Sequence, residues 1–345
     1  MTTLGVGFLG AGAATQAIHL PAVAALGDHL RVARVMDTDA AIAGKVAAVA
    51  ASSATTDVDA VLEDPAVDIV VVASPADRHA EQVVAACAAG KKAILCEKPL
   101  ATSRSDGQRI LAAAQSSGTP VVVGTMHAYD PACRAAVSAW QELKTDAILV
   151  RSSIYLPTDD IYIDAATQVV SPPPPWTIPR RPWAAGFAPA FITDMVLGLT
   201  IHDIPLIRQF SPAVDRVTSA AIVEPVGYAL SALCGHGSVE LASVVTGDWD
   251  AAWRLEAWSE TAVLSIDFPP SYVHGGSAHA RVETTDGARE WHCPENGYQM
   301  EWSHLTELAM GRAGPWIALE AAVRDLEFAL DLAEGAGELC ESQPG

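Results

Sequence analysis

The sequence predicts an α/β protein in two parts. The first third carries a parallel sheet with interleaved helices, and the remainder is an α/β domain built on a mostly antiparallel sheet. Three observations lead there. Short apolar runs alternate with helical stretches of about 10–15 residues, the signature of β-α-β units. Between Arg216 and Trp291 strand-like stretches follow one another with few helical signals, as in an antiparallel sheet. The chain has 345 residues, and about 150 per domain gives two domains. Their expected extents are 1–125 and 126–345.

Taken in order, Leu4 to Leu9 is a short apolar run closed by glycines, which suits a buried strand. Ala14 to Leu26 reads as helix, Leu30 to Met36 as strand, and the Ala-rich Asp39 to Ala51 as helix. Val67 to Ala73 is the clearest strand, closed by Ser74-Pro75. Asp77 to Ala89 is expected to be a helix stopping at Gly90, and Lys92 to Cys96 the next strand. Ser103 to Ser117 reads as a helix ended by Gly118, and Pro120 to Gly124 as a strand. The pattern changes after Met126. Leu156 to Pro189 is proline-rich, with four prolines in a row at Pro172 to Pro175, so it cannot be regular helix or central strand. Ile192 to Phe210 reads as one helix, Ser238 to Thr246 and Thr261 to Phe268 as strands, and Pro315 to Leu339 as a final helix.

Composition narrows the function. There are 41 acidic against 21 basic residues and a net charge of −20, which repels phosphate backbones and anionic headgroups. Nucleic acid and membrane partners are not expected, and no apolar run approaches the ~18 residues of a bilayer span. The first residues carry no leader-like stretch, and the six cysteines form no C-x-x-C pair. A cytoplasmic protein with free thiols is the expectation. No His, Cys and Asp cluster has metal spacing, so no metal is expected.

Gly10-Ala11-Gly12-Ala13-Ala14-Thr15 sits between the first strand and first helix. Gly10 allows a tight turn, and Gly12 lets backbone N–H groups approach a pyrophosphate at a helix N-terminus. Thr15 replaces the third glycine of the usual fingerprint. Asp37 follows the second strand, where an acid accepts hydrogen bonds from adenosine ribose hydroxyls and repels a 2′-phosphate. NAD is therefore expected as cofactor, with NADP less favoured. Asp39 reads as a solvated helix-start residue.

Cys96-Glu97-Lys98-Pro99-Leu100-Ala101 follows the strand Lys92 to Cys96, at the carboxyl end where open α/β sheets bind ligands. A lysine there can donate to a substrate oxygen and a ribose hydroxyl. With these residues the sequence resembles the Gfo/Idh/MocA family of sugar and cyclitol oxidoreductases. The likeness rests on Gly10 to Ala13 with His19-Leu20-Pro21, on Val67 to Pro75 with His79, and on Cys96 to Ala101. Tyr129-Asp130-Pro131 and His202-Asp203-Ile204 are weaker matches. The resemblance implies a Rossmann domain followed by an α/β domain with a large, mostly antiparallel open sheet. It also implies a nicotinamide cofactor contacted by Ser74, Pro75, His79, Glu97 and Lys98, a small sugar-like substrate, and a homodimer or homotetramer formed through the open sheet.

The same resemblance implies a catalytic lysine, aspartate and histidine. Lys98 and His202 match, but the aspartate position four residues before His202 is Gly198, and Pro205 replaces a second acid. Lys98 is expected to hold the reacting oxygen, with His202 as acid and base. On a straight helix Asp194 is too far from His202 for a direct pair. Gly198 is either space for a bulky substrate group or simple helix packing. Trp176, Arg180, Arg181 and Trp183 lie in the proline-rich stretch. Arg181 and Trp183 are candidate substrate contacts, since Trp faces stack on sugar rings and arginines pair with phosphates. Packing within their own loop is the plainer alternative. Trp249, Trp253 and Trp258 are expected in the core or an oligomer interface. An NAD-dependent dehydrogenase or ketoreductase leads, ahead of a redox-neutral epimerase or hydrolase that retains NAD and a non-catalytic dinucleotide-dependent regulatory protein.

Overall fold

The computed structural model describes residues 3–158, 161–163, 169–172, 187–246 and 251–342. The chain forms two compact units.

The first unit holds β1 (Leu4–Leu9), β2 (Leu30–Met36), β3 (Ser53–Thr55), β4 (Ile69–Val72), β5 (Ala93–Glu97) and β6 (Val121–Gly124). All pairs are parallel, in the order β3-β2-β1-β4-β5-β6. That order places a topological switch point beside β1 and β4, where such sheets bind nucleotides. β4 is four consecutive β-branched residues, all buried, as a strand covered on both faces requires. The connections include α1 (Leu20–Ala25), α2 (Ala40–Val49), α3 (Asp59–Leu62), α4 (His79–Ala88) and α5 (Arg104–Ser117). Asp39 caps α2 by accepting from the Ala41 and Ile42 N–H groups. Ser103 caps α5, and Gly118, at φ +71°, ends it. β3 and α3 were not expected from the sequence; at three and four residues they carry no periodic signal.

The second unit begins with α6 (Pro131–Leu143) and β7 (Leu149–Leu156), then α7 (Phe187–Gly198) and α8 (Ile204–Ile207). β8 (Arg216–Val223), β9 (Val226–Cys234), β10 (Gly237–Val245), β11 (Ala252–Trp258), β12 (Ala262–Phe268), β13 (His279–Thr284) and β14 (Gly287–Trp291) follow. The eight strands form one sheet, β14-β13-β12-β11-β7-β10-β9-β8. Only β7 with β10 is parallel, so the mostly antiparallel sheet expected from the sequence is present. Burial along β11 alternates, which is how an antiparallel strand with one covered face is built.

The helix expected over Ile192 to Phe210 is instead three pieces. α7 ends at Gly198, Thr200–His202 is a 3₁₀ turn, and α8 follows. Leu199, at φ −117° and ψ −63°, leaves helical geometry between the first two. Pro205 falls in the first turn of α8, where its missing N–H costs no helical hydrogen bond.

The chain ends with α9 (Gly297–Ala309) and α10 (Leu319–Ser342). The chain first passes from one unit to the other at Gly124/Thr125. The described residues 162–163 and 169–172, and the segment Tyr298–Leu326, pack with the first unit. Gly107 of α5 makes room for α10: a Cβ there would meet Leu326 at 3.0 Å. All six cysteines are free. Among the described residues no helix is long and apolar enough to cross a membrane.

Candidate active site

A cleft of about 700 Å³ opens at the carboxyl ends of β1, β2 and β4, lined by Gly10, Gly12, Asp37, Ser74, Pro75 and Arg78 among others. Gly10 has φ +106°, and a Cβ there would collide with the carbonyl of Ala73, so only glycine fits. Gly12 is exposed, and a Cβ there would meet nothing within 4 Å, so its backbone is open to a ligand. Ala13 and Ala14 are half-buried at the start of the following helical turn. Thr15, in place of the third glycine, donates its hydroxyl to Gly10 O at 2.7 Å and closes the loop.

Asp37 accepts from the Ala11 N–H at 2.9 Å and, through its other oxygen, from the Asp39 N–H at 2.9 Å. Its carboxylate braces the glycine loop as well as standing on the cleft wall. Arg78, at the start of α4, also lines the cleft, and its guanidinium lies 3.6 Å from Glu81. The sequence did not single it out, since nothing local marks a helix-start arginine as facing a cleft. A glycine-only turn, open space at Gly12, helix-start N–H groups and a carboxylate at the end of β2 together fit a dinucleotide.

His79 is not on the cleft wall. It is 1% exposed, with Nδ1 at 2.7 Å from Pro99 O and Nε2 at 2.9 Å from Ser74 O. It ties the turn after β4 to the turn after β5 and so positions Ser74 and Pro99. Ser74 itself donates to Gln82 Oε1 at 2.7 Å.

Glu97 closes β5, and the Lys98–Pro99 peptide is cis. Glu97 turns inward. His19 Nε2 lies 2.8 Å from its Oε1, and the Lys98 N–H donates to its Oε2 at 3.1 Å. Burial pushes the Glu97 carboxyl up, but the His19 hydrogen bond and the neighbouring Lys98 outweigh that, and its pKa falls below the ordinary value. His19 ends a π turn, Thr15–His19, that runs into α1; the Leu20 N–H bonds back to Thr15 O. From α9, Trp302 Nε1 donates to His19 Nδ1 at 3.1 Å. Beside Trp302, Glu301 is 1% exposed, and its Oε2 has no hydrogen-bond partner among the described residues. Burial, and secondarily the charge of Glu97, drives the Glu301 pKa well above the ordinary carboxylate value. The sequence marked His19 only as part of a motif and gave no sign of Glu301 or Trp302.

The second unit contains a separate buried cluster. Asp203, fully buried, accepts from His127 Nδ1 at 2.8 Å, Ser152 Oγ at 2.6 Å and Trp253 Nε1 at 2.9 Å. The His127 ring stacks on Phe268 at 3.8 Å, and His202 lies edgewise to Trp253, 5.7 Å between centroids. The carboxylate next to His202 in sequence thus serves His127. The 3₁₀ turn also removes the straight-helix relation between position 198 and His202, and a Cβ at Gly198 would meet nothing within 4 Å. Trp253 is core, as expected, and Trp258 is 38% exposed. Trp176, Arg180, Arg181 and Trp183 lie outside the described residues. Among the described residues no group of three or more His, Cys, Asp or Glu is arranged to hold a metal ion.

Residues 4–125 match the family described as "Oxidoreductase family, NAD-binding Rossmann fold". The chain is 37% identical over 131 residues to inositol 2-dehydrogenase 2 of Saccharopolyspora erythraea, covering 37% of this chain and 38% of that protein. It is 32% identical over 158 residues to 1,5-anhydro-D-fructose reductase of Ensifer adhaerens, covering 44% and 40% respectively. The matched stretch spans about two-fifths of the length of these relatives. UDP-N-acetylglucosamine 3-dehydrogenase from Acidithiobacillus ferrooxidans superimposes with a TM-score of 0.73 at 19% identity, covering 98% of this chain and 99% of its own. A 3-ketoreductase from Actinomadura kijaniata in complex with NADP gives 0.71 at 18%, covering 95% and 96%. At such identities the likeness shows the fold of both units. Residues 4–125, with their glycine turn, Asp37 and the Glu97-Lys98-Pro99 turn, are thus similar to the NAD-binding Rossmann domain of that oxidoreductase family.

Proposed function

We propose that this protein is a dehydrogenase or ketoreductase that moves a hydride between a nicotinamide dinucleotide and a hydroxyl or keto carbon of a sugar, cyclitol or nucleotide-linked sugar. The observation that carries the reading is the pairing, within one unit, of a cleft built on the glycine-only turn at Gly10 with a lysine at the end of β5, whose backbone N–H is held by the half-buried Glu97. The named relatives and neighbours act on polyhydroxylated or keto-bearing rings, which supports the substrate class.

The dinucleotide supplies the hydride or accepts it. Gly10, Gly12, Ala13 and Ala14 hold its phosphates, and Asp37 the adenosine ribose. Lys98 holds the reacting oxygen and stabilises negative charge developing on it. The likeness of His202-Asp203-Ile204 to the family pattern is what assigns His202 the role of acid and base. NAD is the preferred cofactor, because Asp37 repels a 2′-phosphate; Arg78 on the same cleft wall is the cation that would moderate that preference.

The test follows NADH fluorescence on adding protein, then on adding a panel of keto-sugars and keto-cyclitols. Enhancement followed by substrate-dependent decay is the expected result. Lys98→Ala should still enhance the fluorescence while losing at least about a hundredfold in turnover, the order seen when one charge-stabilising donor is removed. Unchanged turnover in that variant would overturn the role of Lys98.

A further inference from the structure

The indole N–H of Trp302 is a donor with no acceptor function, so His19 Nδ1, 3.1 Å away, must be the acceptor. A ring with Nδ1 accepting carries its one proton on Nε2. That nitrogen faces Glu97 Oε1 at 2.8 Å and therefore donates to it. The pair is a neutral imidazole giving one directed hydrogen bond to a carboxylate. The other Glu97 oxygen accepts the backbone N–H of Lys98. Phe8 packs beside both rings, with its centroid 6.3 Å from that of His19 and 6.4 Å from that of Trp302. His19 is 1% exposed and Trp302 fully buried, so water does not compete for the bond between them, while Glu97 is half-buried. A line of directed bonds thus runs from α9, through the π turn, to the backbone of the lysine at the end of β5.

We propose that Trp302 and His19 are positioning residues for Lys98: Trp302 holds His19 as the neutral Nε2–H tautomer, and His19 in turn fixes the Glu97 carboxylate that sets the Lys98 backbone. This rests on the reading of Lys98 as the residue that holds the reacting oxygen. The arrangement acts through direction, not charge. A side chain offering one acceptor and one donor at the same places therefore replaces His19, whereas an apolar one does not. Glutamine offers both; leucine offers neither. Trp302→Phe keeps an aromatic ring beside Phe8 and His19 but deletes the donor.

The experiment combines two readouts. In protein labelled with ¹⁵N-histidine, two-bond ¹H–¹⁵N spectra report the His19 tautomer, assigned by its disappearance in His19→Gln. Wild type is expected to show the neutral Nε2–H form, and Trp302→Phe a different tautomer or a mixture. Turnover is then measured with NADH and the keto compound of the panel that reacts fastest. Trp302→Phe and His19→Leu are expected to lose about tenfold in kcat, an orientation-sized effect. Their KM for NADH should stay within about twofold, and His19→Gln should recover at least half of wild-type kcat. An imidazolium or Nδ1–H form in wild type overturns the proposal, as does an unaltered tautomer in Trp302→Phe. Glutamine failing as badly as leucine overturns it too, because His19 would then act by charge or packing. If no compound of the panel is reduced, the proposed reaction fails, while the tautomer spectra still decide whether the line of bonds exists.

Discussion

Glu301 is the residue whose burial asks most of the fold. A buried polar atom without a partner costs about 1–3 kcal/mol, and an ionised one more. The carboxyl avoids the larger cost by staying protonated, since burial and then Glu97 push its pKa well above the ordinary 4.5. With the folded pKa above the unfolded one, the folded state binds the extra proton between the two values. The contribution to stability is therefore present at low pH and lost as pH rises from 4.5 through the raised value. Glu301→Gln removes this dependence. Its Tm is expected to exceed that of wild type at about pH 8 and to match it or fall below at about pH 4, by thermal melts. Equal differences at both values would mean that Glu301 is not held neutral. Asp37 allows a second prediction. Asp37→Asn can still accept the Ala11 N–H but loses its charge toward a ribose and a 2′-phosphate. By fluorescence titration, NADH is expected to bind about tenfold more weakly and NADPH no more weakly than to wild type, consistent with hydrogen bonds to a charged group. Parallel loss of both would mean that the carboxylate only braces the loop.

At the scale of elements, the two loop glycines differ in kind. Gly10 is required by the turn itself, through its positive φ and its approach to the Ala73 carbonyl. At Gly12 a Cβ would meet nothing within 4 Å, so the fold itself does not require glycine there. Gly10→Ala should therefore lower the stability of the free protein by at least about 1–3 kcal/mol, the cost of a strained backbone position. Gly12→Ala should leave denaturant unfolding of the free protein nearly unchanged and still weaken NADH binding. Equal destabilisation by the two would contradict this assignment. The break at Leu199 shows the limit of periodicity. Ile192 to Phe210 is apolar enough to be read as one helix, yet the backbone turns out of register before His202. Where a segment is buried nearly all round, hydrophobic spacing does not register a 3₁₀ step.

Over the whole molecule, the open sheet carries the remaining prediction. Leu233, Leu149 and Trp258 fall in one cross-strand line through Ser238, and Tyr155, six residues after Leu149, projects from the same face. Tyr155, Leu233 and Trp258 are 46%, 42% and 38% exposed, an unusual cost for large apolar side chains on one sheet face. A homodimer or homotetramer through this face is expected by light scattering, with the double substitution Leu233→Glu and Trp258→Glu shifting the mass toward monomer. A wild type that scatters as monomer at micromolar concentration would refute it.

The parallel sheet, its glycine turn, Asp37 and the Lys98 turn could all be read along the chain, because each depends on residues within about 30 positions of one another. Helix caps at Asp39 and Ser103 and the stop at Gly118 were legible for the same reason, since capping chemistry is local. The short β3 and α3, the return of two late segments to the first unit, and the environments of Glu97 and Asp203 were not. Trp302 reaches His19 across 283 positions, and Ser152 and Trp253 reach Asp203 across 51 and 50. A hydrogen bond between residues so far apart leaves no pattern in either neighbourhood. Its partners are chosen by packing, which excludes water and so obliges each buried donor and acceptor to find whatever the fold has brought within reach.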